Sequence, residues 1–223
     1  MYRVFLAWVV ALCLLSGLSA ATVAAENLVP NGDFSHSQDP LHGWKTVYRG
    51  EADRNYFNNH RNIAVVDEPG RGKVVRMRGD HMLITQSAIG IKMESSPVPF
   101  DPEATYRFTI DARTEGPNAR IYLQGFRWRP RLERHDNPTL ADLARNYRFG
   151  PINFQGDREE RFSNPPRTWG TATQIISSDG LSDLARRHYE QIDFLVVYVM
   201  AVGGGGGTLY VDRVHIEKVD PQP

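Results

Sequence analysis

Apolar residues in this chain recur mostly at every second position, in short runs broken by Gly, Pro, Asn and Asp. That spacing sends alternate side chains to opposite faces of an extended strand, so a series of such runs predicts an antiparallel sandwich or barrel. Residues 105–113 show it most clearly. Tyr106, Phe108, Ile110 and Ala112 share one phase, while Arg107, Thr109, Asp111 and Arg113 share the other. One face is core and the other is wet or functional. Residues 73–78 and 82–88 read as two more strands, joined by a tight turn at Gly79-Asp80. Residues 192–202 are apolar on both phases and predict a central strand covered on both sides. The glycines Gly203 to Gly207 then read as a hairpin turn into a last strand over 208–219. A phosphate-binding loop would need Lys-Ser/Thr and a helix after the glycines, and a strand follows instead.

Two stretches switch to helical spacing. Asn137 can cap a helix with Pro138 at its first position, putting Leu140, Leu143, Ala144 and Tyr147 on one face. Asp179 can cap a second, with Leu181, Leu184, Ala185 and His188 inward. Residues 129–167 are otherwise rich in Arg, Pro and Asn. They read as one long insertion in a β scaffold, which is either functional or disordered, with docking of a protein partner among the functions it could serve.

The start of the chain reads differently. Arg3 precedes an apolar run from Phe5 to Leu18. As a helix this run spans about 21 Å, against about 30 Å for a bilayer core. It fits a secretory signal peptide over residues 1–25, with Val23-Ala24-Ala25 before the cut. Residues 26–223 then form a single domain, secreted or periplasmic, with no membrane anchor. Cys13 is the one cysteine and lies in the signal, so the exported domain has no disulfide, thiolate metal site or cysteine nucleophile. Lys and Arg balance Asp and Glu at 26 each, which removes the bulk field that favours nucleic acid or anionic membranes. The seven histidines show no metal-site spacing, and no Gly-x-Ser-x-Gly elbow occurs.

Three motifs carry a resemblance. Residues 27–34 read Asn-Leu-Val-Pro-Asn-Gly-Asp-Phe, with Gly43-Trp44 nine residues on. Residues 102–108 read Pro-Glu-Ala-Thr-Tyr-Arg-Phe, and residues 207–216 read Gly-Thr-Leu-Tyr-Val-Asp-Arg-Val-His-Ile. Together they resemble the start, middle and end of secreted carbohydrate-binding modules with the galactose-binding-like jelly roll, of the type appended to cellulases and xylanases. The resemblance implies an all-β jelly-roll β-sandwich, here with two short helices in insertions. It also implies a structural calcium tying the first strand to the last, at Asp33, the Gly72 carbonyl and Asp212. Oxygen ligands suit that hard cation.

The last strand holds a local clue of its own. Leu209 and Val211 share one phase, and Val214 and Ile216 the other, so a bulge at Asp212-Arg213 must absorb the slip. An acidic residue there binds a metal or pairs with an arginine.

Candidate ligand contacts lie on residues 119–128. With Ile121 and Leu123 inward, Tyr122, Gln124, Phe126 and Trp128 face outward. Aromatic faces stack on pyranose C–H groups and an amide bonds hydroxyls, which is the composition of a sugar platform. Equally, these rings can pack under the 129–167 insertion as a second small core. Trp44 and Trp169 read as packing residues. Beyond the platform, Arg127, Arg129, Arg131 and Arg134 cluster beside His135. They suit an anionic polysaccharide, or pairing with Asp157, Glu159 and Glu160. The leading reading is non-catalytic binding of polysaccharide or glycoconjugate through Tyr122, Gln124 and Trp128, with Arg127 and Arg129 adding charge selectivity. A protein-interaction or structural role in the envelope or periplasm, and a glycan-active hydrolase or lyase on the same scaffold, stay open.

Overall fold

A computed structural model describes residues 26–46, 62–79, 90–150, 152, 154, 164–203 and 205–220. The proposed signal, the strand over 82–88 and Asp80 of its turn lie outside them. The elements are β1 (Trp44–Lys45), β2 (Ile63–Glu68), β3 (Gly72–Gly79), β4 (Ile91–Ser95), β5 (Val98–Pro99), β6 (Thr105–Glu115), β7 (Asn118–Trp128), β8 (Leu143–Arg148), β9 (Gly170–Ile176), α1 (Asp183–Tyr189), β10 (Phe194–Val202) and β11 (Gly207–Val219).

The strands form two antiparallel sheets, the β-sandwich that the alternation predicts. The first runs β1-β4-β10-β7-β8, with β5 also on β10, and the second runs β2-β3-β11-β6-β9. Between them lies the core. Tyr106, Phe108, Ile110 and Ala112 of β6 are all fully buried, on the phase read from sequence. β10 is covered on both sides. Leu195, Val197, Val199 and Ala201 enter the main core, while Val196 and Tyr198 join a second cluster with Phe126, Trp128 and Leu143 on the outer face of the first sheet.

Three expectations change. β10 and β11 are not a hairpin: they belong to different sheets, and the glycines carry the chain across the sandwich. β10 takes β7 along nine residue pairs, and β11 takes β6 and β3. A strand apolar on both faces needs a sheet neighbour on each edge and a layer on each side. A local hairpin supplies one neighbour. The glycines are needed for the crossing itself. Gly207 has φ 144°, and a Cβ there would lie 2.0 Å from the Glu115 carbonyl oxygen.

The helix expected after Asn137 is a single turn followed by β8. The Thr139 N–H and hydroxyl both donate to the Asp142 carboxylate at 2.7 Å, and the Asp142 N–H returns to the Thr139 carbonyl at 3.0 Å. The chain then pairs with the edge of β7. An isolated helix of this length is marginal, whereas an open strand edge offers every backbone group a partner. The second helix exists but starts later. Ser182 caps it, accepting from the Ala185 N–H, and Tyr189 is its buried residue. Leu184, expected inward, is 61% exposed.

Candidate binding site

The start of the described chain is fastened to its last strand. Asn27 donates its side-chain amide to the Val214 carbonyl and accepts from the Ile216 N–H; Leu28 N–H bonds the Ile216 carbonyl at 2.8 Å, and Val214 N–H bonds the Gly32 carbonyl at 2.7 Å. Phe34 is fully buried against Trp44, whose indole N–H donates to the Asn31 carbonyl. The bulge falls where the phase slip puts it. The β11–β6 register shifts between Asp212 and Val214, and Arg213 has φ 36°.

Asp212 faces Asp111 across this ladder. Two carboxylates directly opposite repel, and cations gather on them. Arg71 reaches Asp212 at 2.8 Å and Asp111 at 3.3 Å, Arg213 reaches Asp111 at 3.1 Å, and Thr171 donates to Asp111. The Arg71 guanidinium also lies over the Trp169 ring. Asp33, Gly72 and Asp212, the residues expected around calcium, line one cavity of about 680 Å³ with Asp111, Arg71, Arg213 and Lys73. Asp33 bonds the N–H and hydroxyl of Ser35. Among the described residues no three carboxylate or imidazole groups converge on one point. The oxygen donors suit a hard cation, but Arg71 holds the ground between two of them. A metal there and the Arg71 ion pairs exclude one another.

The sequence-predicted ligand residues lie on or beside the outer face of the first sheet, and they have separate fates. Tyr122 is half-buried in the middle of that face. Gln124 is buried, and its amide donates to the Tyr147 carbonyl at 2.5 Å and the Gly125 carbonyl at 3.3 Å, so its donors are spent. Trp128 is 9% exposed and stands edge-on to Phe194 and His135. That indole is packed inside the second cluster, the other reading that its composition allows. Arg127 lies on the phase opposite Trp128 and donates to Gln191, while Arg129 lines the cavity described next. Arg129, Arg131 and Arg134 lie beyond β7, which ends at Trp128, and the chain turns at Arg131 with φ 71°.

What the fold does gather is a row across four strands. Lys45 of β1 opposes Glu94 of β4, Glu94 opposes Tyr198 of β10, and Tyr198 opposes Tyr122 of β7. The two tyrosine rings stack parallel, 4.9 Å apart at 1°. Lys92 covers the Tyr198 ring at 4.6 Å and Arg148 covers the Tyr122 ring at 4.4 Å. Glu94 is buried and holds both Lys92, at 3.0 Å, and Lys45, at 3.5 Å. Burial raises the pKa of both phenols, so they stay neutral donors, and burial lowers that of Lys92 against the opposing pull of Glu94.

Beside this row opens a cavity of about 490 Å³, lined by Lys92, Glu94, Phe126, Arg129, Leu140, Leu143, Ala144, Arg145 and Tyr198. Its apolar floor comes from β7, β8 and the turn before β8. Lys92, Glu94, Tyr198, Lys45, Arg145 and Arg148 escaped the sequence reading. Tyr198 alone left a signal, as the one hydroxyl in an otherwise apolar β10. The others become neighbours only through strand register. The insertion contributes part of the site: β8 extends the sheet, and His135 and Leu140 close over the Trp128 end.

No protein-family model matches the chain, and no curated protein sequence matches it. Solved structures are similar in shape. A CBM4 carbohydrate-binding module is 14% identical, with a TM-score of 0.47, over 86% of this chain and 99% of its own. The CBM22-1 xylan-binding domain of Paenibacillus barcinonensis Xyn10C is 12% identical, at TM-score 0.47, over 89% and 98%. TmCBM61, solved with β-1,4-galactotriose, is 13% identical, at TM-score 0.43, over 87% and 100%. These belong to the class that the chain's opening and closing motifs resemble. With such identities and scores, none of them carries a ligand over to this chain.

Proposed function

We propose that this protein binds a glycan, without altering it, in the cavity on the outer face of the first sheet. The observation that carries the reading is the lining. Leu140 and Ala144, half-buried over Phe126 and Leu143, offer an apolar surface for pyranose C–H groups, and Lys92, Arg129 and Arg145 bring charged donors for hydroxyls to the same space. About 490 Å³ lies within the usual range for small-ligand sites. Of the residues first expected, Tyr122 flanks the cavity through Tyr198, Arg129 lines it, and Trp128 backs its apolar wall. Gln124 bonds the Tyr147 and Gly125 carbonyls instead, and the exposed Arg127 bonds Gln191. Binding is favoured over hydrolysis by the chemistry of the lining: a glycosidase works with two carboxyl groups about 5 to 10 Å apart, and among the described lining residues Glu94 is the one carboxylate. Residues 1–25 as a signal peptide would put this activity outside the cytoplasm. No described helix is long and apolar enough to cross a membrane.

Affinity electrophoresis through gels containing neutral and charged polysaccharides tests the reading. Retardation by at least one polysaccharide, weakened in Arg129→Ala, is expected. Free migration through every gel overturns it.

A structural calcium at Asp33, the Gly72 carbonyl and Asp212 belongs to the same proposal. It is supported by the carboxylates that line the chain-closing cavity, and it requires Arg71 to leave them.

A further inference from the structure

The ligand's chemistry can be narrowed from the charges around the cavity, on the premise that the site just proposed is a glycan site. The whole chain is formally neutral. The cavity is not: Lys92, Arg129 and Arg145 line it against Glu94 alone, and Lys45 and Arg148 flank it on the same sheet face. Glu94 is already committed, held between Lys92 and Lys45 with 3% of its side chain exposed. Arg129 and Arg145 are both exposed, and among the described residues neither has a carboxylate within ion-pair distance.

The aromatic rings give the second half of the argument. Stacking on a neutral sugar needs a bare ring face. Here the faces of the stacked pair are taken, Tyr198 by Lys92 and Tyr122 by Arg148. What this row offers a ligand is cationic groups and neutral phenol edges. A guanidinium fork pairs two parallel N–H donors with the two oxygens of a carboxylate. The adjoining half-buried Leu140 and Ala144 still want one apolar surface. A sugar ring with a C–H face and a single planar anionic group meets both demands.

We infer that the cavity binds a uronic-acid glycan, its carboxylate received by Arg145 and Arg129 and its ring lying against Leu140 and Ala144.

The test uses the purified full chain in affinity gels of polygalacturonate and alginate. Parallel gels hold the same two polymers after reduction of their carboxyl groups to hydroxymethyl, dextran sulfate, and neutral xylan and galactan. At least one uronan should retard the protein, with affinity falling about tenfold or more on carboxyl reduction, as loss of a charge-assisted contact predicts. Arg145→Ala should weaken uronan binding by a similar factor, and Arg145→Lys should recover only part of it. Both substitutions are at an exposed residue, and an unchanged melting temperature for each checks that the fold is intact. Equal binding of native and reduced polymers, or retardation by neutral glycans alone, overturns the uronate inference while leaving glycan binding in place. Retardation by dextran sulfate without either uronan overturns it as well. Free migration in every gel overturns the glycan reading and this inference together.

Discussion

At the scale of single residues, close approach and spent donors decide what can change. A Cβ on Gly32 would stand 2.0 Å from the Val214 carbonyl oxygen, against backbone that cannot swing aside. Gly32→Ala should therefore cost about 1–3 kcal/mol, the range for forced overpacking, read as a lower midpoint in urea unfolding. Gln124 gives a different result. Its amide serves the Tyr147 and Gly125 carbonyls, so Gln124→Ala should cost about 1–3 kcal/mol by stranding them while leaving glycan affinity within about twofold. A large loss of affinity without loss of stability would return Gln124 to the ligand site. Residue phase was readable in β6, where burial alternates with the pleat from Tyr106 to Ile110. Donor occupancy was not readable: Tyr147 is 23 residues from Gln124 along the chain and meets it only through β8 pairing.

At the scale of elements, the informative cases are those where two periods compete. Leu140, Leu143, Ala144 and Tyr147 satisfy helical spacing, yet Leu143 also begins a strand, and the unpaired edge of β7 selects the strand. In α1 the helical reading holds and the inward face differs. Tyr189 is fully buried against Phe100 and Phe149, while Leu184 is exposed. Leu184→Ser should then leave stability within about 0.5 kcal/mol, whereas Tyr189→Ala should cost about 3–5 kcal/mol in the same unfolding assay. Reversed values would mean that α1 packs by the face its spacing suggested. The bulge at Arg213 was legible for the opposite reason. Two apolar pairs, Leu209–Val211 and Val214–Ile216, sit on either side of one slip, and no competing period explains them.

At the scale of the whole molecule, the sandwich was legible because β6 leaves a period-two trace of one buried face, while β10, apolar on both phases, marks a strand covered on both sides. Layer assignment was not. Nothing in residues 203–207 states whether glycines turn back within a sheet or cross to the next one. The same limit hid the row across β1, β4, β10 and β7 and the β8 arginine that covers it. The junction of the first and last segments carries the remaining test. If calcium and Arg71 compete for Asp212, Arg71→Gln should lower the melting temperature in chelator, since Asp111 and Asp212 then face each other with less compensation. Added calcium should restore it, and should stabilise the variant more than the parent, because ligands that bind only the folded state raise its stability. Identical melting in calcium and chelator for both proteins would remove the metal from the account.

The bonds from residues 27–32 to residues 214–216 run between two neighbouring, oppositely directed stretches. That arrangement has a mechanical meaning. A pull applied to residue 26 and residue 220 would load these bonds one after another, as a zip is opened, rather than all at once in shear. Held between two tethers in an optical trap, the molecule should first release this short seam at low force, and the sandwich behind it should give way in a separate, later step.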